Sequence, residues 1–448
     1  MGKYFGTDGI RGVAGRELDA KLAYMTGSAA ATVLKELHGR RPSVMIARDT
    51  RVSCDMLEAA LSAGLCSAGA NVTQLGVLPT PAVAYLTAKT EANAGIVISA
   101  SHNPFEHNGI KIFGTNGFKL GDALEEHIEH MIDDENSVSR MTGGDLGRIV
   151  REHAKWEDEY VKSLVAASSG RFDGRIAIDC ANGASSETAR MLFRQLNAEF
   201  EIFFAEPNGI NINVDCGSTH IDFLRDMMKT GRFSVGFAFD GDADRCLVVD
   251  EHGNTIDGDM LLAVFARDMR ASGKLNGAAA VGTVVSNSGM EIFAHNNGFI
   301  FHRSAVGDRN VLEMMLEIGC NLGGESSGHL IFSDDTTTGD GQLTAIKFLN
   351  VLISSGKTAS ELVADIPHFP QVMPSYKLTG GAVQRDAIMS HPRLHNEIAQ
   401  KQKSLAGEGR VLVRPSGTEP IIRVLVEAKT QELATETAEY LINVIRSL

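Results

Sequence analysis

VGFAFDGDADR, residues 235–245, sets an uncharged run of five residues directly against three aspartates spaced two apart. The run Val235 to Phe239 is too short for a helix and reads as a buried strand, so the charged turn after it must sit at the strand's carboxyl end. Working outward, similar apolar runs end in polar or Gly-rich residues at Val44 to Ala47, Gly95 to Ser99, Arg175 to Asp179 and Ala278 to Val285. Between them lie stretches with apolar residues near 3.6 spacing, such as Ala20 to Leu37 and Asp122 to Ile132. This alternation predicts α/β units with parallel strands and crossover helices, and it places a ligand at the carboxyl ends of the strands.

A chain of 448 residues exceeds one compact core, at about 150 residues per domain. The charged segment Arg151 to Lys162 can bridge a first unit to a second. Pro367, Pro370 and Pro374 cannot continue a helix and predict a linker. After it, RVLVRPSGTEPIIRVLVEA, residues 410–428, reads as two strands around a turn, and Thr430 to Leu448 as a closing amphipathic helix. Four domains are therefore expected, over 1–153, 154–254, 255–367 and 371–448.

Asp and Glu total 56 against 42 Lys and Arg, and a net charge of -14 disfavours nucleic acid as a partner. The six cysteines form no CxxC pattern and read as reduced, mostly buried thiols. The uncharged stretch 59–88 is broken by Gly64, Gly69, Gly76, Pro79 and Pro81, which defeats a membrane-spanning helix. With no signal-peptide pattern at the N-terminus, a cytoplasmic enzyme is expected.

Four motifs carry chemistry. Asp240, Asp242 and Asp244 can converge on one hard cation, and oxygen-only ligands suit Mg²⁺ or Ca²⁺. An EF-hand loop is the rival, with Glu251 at its last position; Arg245 stands where the sharp turn needs Gly, and the flanks read as strands. VISASHNPFEHNGIK, residues 97–111, runs a strand into Ser101 and His102; its serine can act as a nucleophile, or the segment can be only a turn. GGESSGH brings Glu325, Ser327 and His329 into a polar loop suited to sugar hydroxyls. RPSGTEP offers Arg414, Ser416, Gly417 and Thr418, the parts of a phosphate cradle or of a hydrophilic hairpin turn. One motif in each of four domains implies a cleft between them.

In this order the motifs resemble those of the α-D-phosphohexomutases, over the whole chain. YFGTDGIRG at 4–12, NINVDCGSTH at 211–220 and AVGDRN at 305–310 are similar to the branch of that family acting on glucosamine phosphates. The resemblance implies three similar α/β domains with mixed sheets plus a smaller α+β C-terminal domain around a central cleft. It implies phosphorylation of Ser101, with Ser101, Asp240, Asp242 and Asp244 holding Mg²⁺, and Lys111, His102 and Arg11 beside the phosphoryl group. A lysine buried beside Mg²⁺ is expected to have a lowered pKa and to serve as a base. Arg245, Glu325, Ser327, His329, Arg414, Ser416, Gly417, Thr418 and Arg423 are implied to bind substrate. The implied reaction interconverts glucosamine 6-phosphate and glucosamine 1-phosphate through a sugar 1,6-bisphosphate. The expected partner is a small phosphosugar, with neither nucleic acid nor membrane; a homodimer is left open, and the sequence names no regulatory partner. Two alternatives stand: a mutase of the same family for glucose or mannose phosphates, for which Ser326 in the sugar loop is the position to watch, and a non-catalytic metal-binding regulatory protein.

Overall fold

The computed structural model describes the chain except Met1, Thr7, Glu135, Ala406, Gly417, Thr418 and Glu419. Its described strands form four sheets. In the first, the order from edge to edge is Phe5–Gly6, Gly9–Val13, His107–Gly114, Ala94–Ile98, Ser43–Arg48, Asn71–Val77 and Ile149–Arg151. The second runs Thr255–Ile256, Cys246–Val249, Val235–Phe239, Arg175–Asp179, Glu199–Phe203, and the third Ile300–Ser304, Ala279–Thr283, Leu322–Gly324, Leu330–Phe332. Every residue of Ala94–Ile98 and of Val235–Phe239 is buried, as expected for strands covered on both faces by helices. No helix among the described residues is long and apolar enough to cross a membrane. All six cysteines are free, and only Cys66 is not fully buried.

Helix and strand periodicity alone predicts parallel sheets, but the sheets are mixed in one repeated way. Ala94–Ile98, Val235–Phe239 and Leu322–Gly324 each run parallel to a neighbour on one side. On the other side each turns back into an antiparallel partner: His107–Gly114, Cys246–Val249 and Leu330–Phe332. The three hairpin loops, 99–106, 240–245 and 325–329, contain the serine, aspartate and sugar motifs. A loop tied at both ends to adjacent strands is held more closely than one leading to a distant helix, which suits residues that must be placed precisely.

The C-terminal sheet repeats the device with Arg410–Pro415 and Ile421–Glu427 flanking the fourth motif. The proline cluster is not simply a linker. Gln371–Val372 and Ser375–Lys377 form a broken edge strand along Ile421–Glu427, with Pro374 in the break. Proline is tolerated there because an edge strand needs no donor on its outer side, and the Pro370 and Pro374 carbonyls accept from Ala428 N and Val424 N.

This last domain is fastened to the third at one loop. Arg410 donates to the Val284 carbonyl (2.9 Å) and pairs with the fully buried Glu427 (2.9 Å), whose other oxygen accepts from Ser288 N (3.0 Å). Asn287 exchanges hydrogen bonds with the Phe369 backbone in both directions. Gly289 allows the approach, since a Cβ there would lie 1.7 Å from the Pro367 carbonyl oxygen. Backbone cannot yield as a side chain does, so Gly289→Ala should cost about 1–3 kcal/mol and loosen the C-terminal domain first. Calorimetry and limited proteolysis across 367–374 check this; a wild-type melt and digest would mean that the contact does not hold the domain.

Candidate active site

Ser101 stands first in a tight turn after its buried strand, with a left-handed backbone (φ 53°) that costs about 1–3 kcal/mol in a non-glycine residue. The turn is held by groups from two domains. Arg51, fully buried, donates to the carbonyls of Ser101 (2.8 Å), Asn103 (2.8 Å) and Pro104 (2.5 Å), and Asp49 pairs with it at 2.8 Å. From the second domain, Asn213 Nδ2 donates to the same Ser101 carbonyl at 2.9 Å. Gly241 lies so close that a Cβ would meet that carbonyl at 2.6 Å. Arg51 and Asp49 carry no motif of their own, and the Arg51 and Asn213 contacts to Ser101 span 50 and 112 residues.

So held, Ser101 Oγ donates to Asp240 Oδ2 at 2.7 Å and lies 3.3 Å from His102 Nδ1. Ligand oxygens of Asp240, Asp242 and Asp244 lie within 4.8 Å of one another, and all three residues are buried. Thr80 Oγ1 donates to Asp242 Oδ2 (2.7 Å), and Lys111 Nζ approaches the same oxygen (3.1 Å). Oδ1 of Asp242 and of Asp244 are buried without a hydrogen-bond partner among the described residues. Two bare carboxylate oxygens beside a third carboxylate form a donor set that fits a hard divalent cation. The EF-hand alternative fails on geometry: both flanks are strands, and Glu251 accepts from Ser360 Oγ instead.

The electrostatics follow from this crowding. Burial and the charges of Asp244 and Asp242 push the Asp240 carboxyl up to about 8. Burial would raise Asp244 as well, but His329, Lys111 and Arg245 hold it well below the usual carboxylate range. In the cation-free site the Lys111 shift is upward: burial lowers its pKa, yet Asp242, Asp8 and Asp244 outweigh burial and raise it, while the expected depression concerns the site with Mg²⁺ bound. His102 moves the other way, down to about 4, through burial and the nearby Arg245 and Arg11.

Above this floor opens a cleft of about 600 Å³ lined from all four sheets. Arg11, Ser101, His102, Asp244, Arg245, Glu325, His329, Arg414, Ser416 and Arg423 share its wall. Asp240, Asp242 and Lys111 lie beneath it. Ser327 is not among the lining residues, and its Oγ is buried. Gly417 and Thr418 lie outside the described residues. Arg414 and Arg423 face each other across the antiparallel pair. Like charges so placed repel, and burial and Arg423 lower the Arg414 pKa. The sugar loop is braced from below by Cys246 N donating to the Gly328 carbonyl and Gly258 N to that of Ser326, both at 3.0 Å.

Family models agree with this geometry over almost all of the chain. The phosphoglucomutase/phosphomannomutase models match alpha/beta/alpha domain I at residues 2–139, domain II at 158–253, domain III at 257–369 and the C-terminal domain at 378–444. The chain belongs to this family, the α-D-phosphohexomutases. It is 47% identical to the phosphoglucosamine mutase of Ruminiclostridium cellulolyticum, over 99% of both chains. Among solved structures, it is similar to a phosphoglucomutase/phosphomannomutase family protein from Burkholderia thailandensis (TM-score 0.81, 25% identity, covering 100% of this chain and 98% of that one). Aspergillus fumigatus N-acetylphosphoglucosamine mutase, solved with GlcNAc-6P and magnesium, has the same fold (TM-score 0.69, 18% identity, covering 99% and 95%).

The raised Asp240 makes cation binding a competition with a proton. With its carboxyl pushed up to about 8, Asp240 is expected to hold a proton at neutral pH in the cation-free protein, and a bound cation would displace it. Mg²⁺ affinity should therefore weaken by about tenfold or more between pH 8 and 6, with proton release near pH 7. Titration calorimetry in buffers of different ionisation enthalpy reads both. A pH-independent affinity without proton release would mean that Asp240 is already ionised.

Proposed function

We propose that this chain interconverts glucosamine 6-phosphate and glucosamine 1-phosphate by way of phosphorylated Ser101 and a sugar 1,6-bisphosphate. The observation that carries the reading is the 2.7 Å contact between Ser101 Oγ and Asp240, at a cleft whose lining includes Ser101 together with Arg414 and Arg423. A phosphoryl carrier and a pair of arginines on one cleft suit a substrate with two phosphate positions. The branch is supported by the full-length identity to phosphoglucosamine mutase.

In this reading Arg51 and Asn213 fix the Ser101 turn so that its oxygen faces the cleft. Asp240, Asp242 and Asp244 would hold a Mg²⁺, which when bound would supply charge neutralisation for phosphoryl transfer at Ser101. Arg11 and Arg245 hold the phosphoryl oxygens. Lys111, tied to Asp242 beside the aspartate that Ser101 contacts, would return a proton to the serine oxygen as the phosphoryl group leaves. His102, neutral beside that oxygen, takes the proton of the attacking sugar hydroxyl. Arg414, Ser416 and Arg423 hold whichever phosphate is not reacting, and Glu325 and His329 read hydroxyls whose positions survive the turn of the bisphosphate. Glu325 also offers a carboxylate to the ammonium at C2.

The test compares turnover of glucosamine, glucose and mannose 1-phosphates. Glucosamine 1-phosphate should lead by about tenfold or more in kcat/KM, the scale of one hydrogen-bonded contact. A lead by glucose or mannose phosphate would assign a different sugar, and no turnover of any would favour a non-catalytic protein. Arg414→Ala should raise KM by about tenfold or more and also lower kcat, because remote binding positions the reacting end, with Arg414→Lys recovering only part. Wild-type kinetics in both would place the clamp elsewhere.

A further inference from the structure

The geometry points to Asp8 as the positioning residue that sets Arg11 and Lys111 against the phosphoryl site, an inference resting on the mutase reading above. Asp8 lies in the turn between Phe5–Gly6 and Gly9–Val13, where Gly6 pairs with Gly9. Gly9 has φ 79°, and a Cβ there would meet the Ile110 carbonyl at 2.4 Å. The missing side chain lets the turn lie on residues 110 and 111, and this brings the Asp8 carboxylate over Lys111.

That carboxylate gathers three cations. Oδ2 pairs with Arg11 and stands 3.2 Å from Lys111 Nζ, while Oδ1 is 2.5 Å from Lys119 Nζ. Lys119 reaches on to Asp308 of the third sheet's domain at 2.6 Å, and the next residue there, Arg309, returns an ion pair to Asp122. Arg11 and Lys111 repel each other and are brought together by the negative charge between them. Beyond Asp8, Lys111 pairs with Asp242 at 3.1 Å and, more distantly, Asp244 at 3.9 Å, and both belong to the cation's donor set. Asp8 lies outside the triad, so it can fix the ammonium while Asp242 serves the cation. A long lysine side chain tethered at two points loses most of its rotamer freedom before substrate arrives.

A purely structural alternative would have Asp8 act only through Lys119, as one half of a strap between domains. Three variants separate the two roles, with glucosamine 1-phosphate as substrate. Asp8→Asn keeps the shape and removes the charge; it should lower kcat by about 30-fold or more while KM and Mg²⁺ affinity stay within about threefold. Lys119→Gln cuts the strap and leaves the Arg11 and Lys111 contacts, so its kcat should fall by no more than about fivefold. Asp8→Glu keeps the charge on a longer arm and serves if the Asn variant does not fold; its kcat should lie between those of Asp8→Asn and wild type. A kcat within about threefold of wild type in Asp8→Asn, an equal loss in Lys119→Gln, or wild-type kcat in Asp8→Glu would overturn the assignment. A wild-type enzyme without mutase turnover would overturn the mutase reading itself.

Discussion

Three carboxylates drawn within 4.8 Å of one another in a buried site are the constraint around which the molecule is built. Desolvation and mutual repulsion make such a cluster unfavourable by itself, and the surrounding groups offset that charge. Lys111 and Thr80 share one oxygen of Asp242, while Arg245 and His329 stand 3.8 and 3.6 Å from Asp244. Ser101, His329 and Lys111 come from other hairpins or strands than the aspartates, so assembling the charge balance also assembles the domains. The two bare oxygens that remain point to a cation as the last partner.

The four hairpins give this assembly its economy. Each motif leaves and returns at the same end of its sheet, and the loops then brace one another: Gly241 against the Ser101 carbonyl, Gly328 under Cys246, and Gly341 N donating to the Ala243 carbonyl. Close backbone packing of this kind holds a nucleophile to within a fraction of an ångström, which phosphoryl transfer by positioning requires. The C-terminal hairpin is held differently: Arg410 and Glu427 tie it to the loop 284–288 of the third domain.

Much of this was legible in the sequence because it is local. Val235–Phe239 and Arg175–Asp179 begin and end where the apolar runs do, and Asp240, Asp242 and Asp244 fall together because a tight hairpin leaves alternate residues nowhere else to converge. The run Ala278 to Val285 was less faithful: the strand stops at Thr283, and Val284 enters the loop whose carbonyl accepts from Arg410. The proline cluster misled because a chain break and a broken edge strand have the same composition. What stayed hidden was long-range. Arg51, Asp49 and Thr80 sit in unremarkable contexts and acquire meaning only when folding brings them to Ser101 or Asp242; Asn213 lies in a motif, NINVDCGSTH, whose role in holding the Ser101 turn the sequence does not show. The upward Lys111 shift of the cation-free site was also beyond the sequence, since it depends on Asp8, 103 residues away, as well as on Asp242 and Asp244.

The central claim is that Ser101 carries the transferred phosphoryl group. Rapid-quench chase of enzyme labelled with ³²P at Ser101, using unlabelled glucosamine 6-phosphate, tests it most directly. The account predicts that label leaves the peptide containing residues 97–111 at a rate no slower than kcat and appears in the sugar bisphosphate. Label that stays on the protein through many turnovers, or that leaves only as inorganic phosphate, would contradict it.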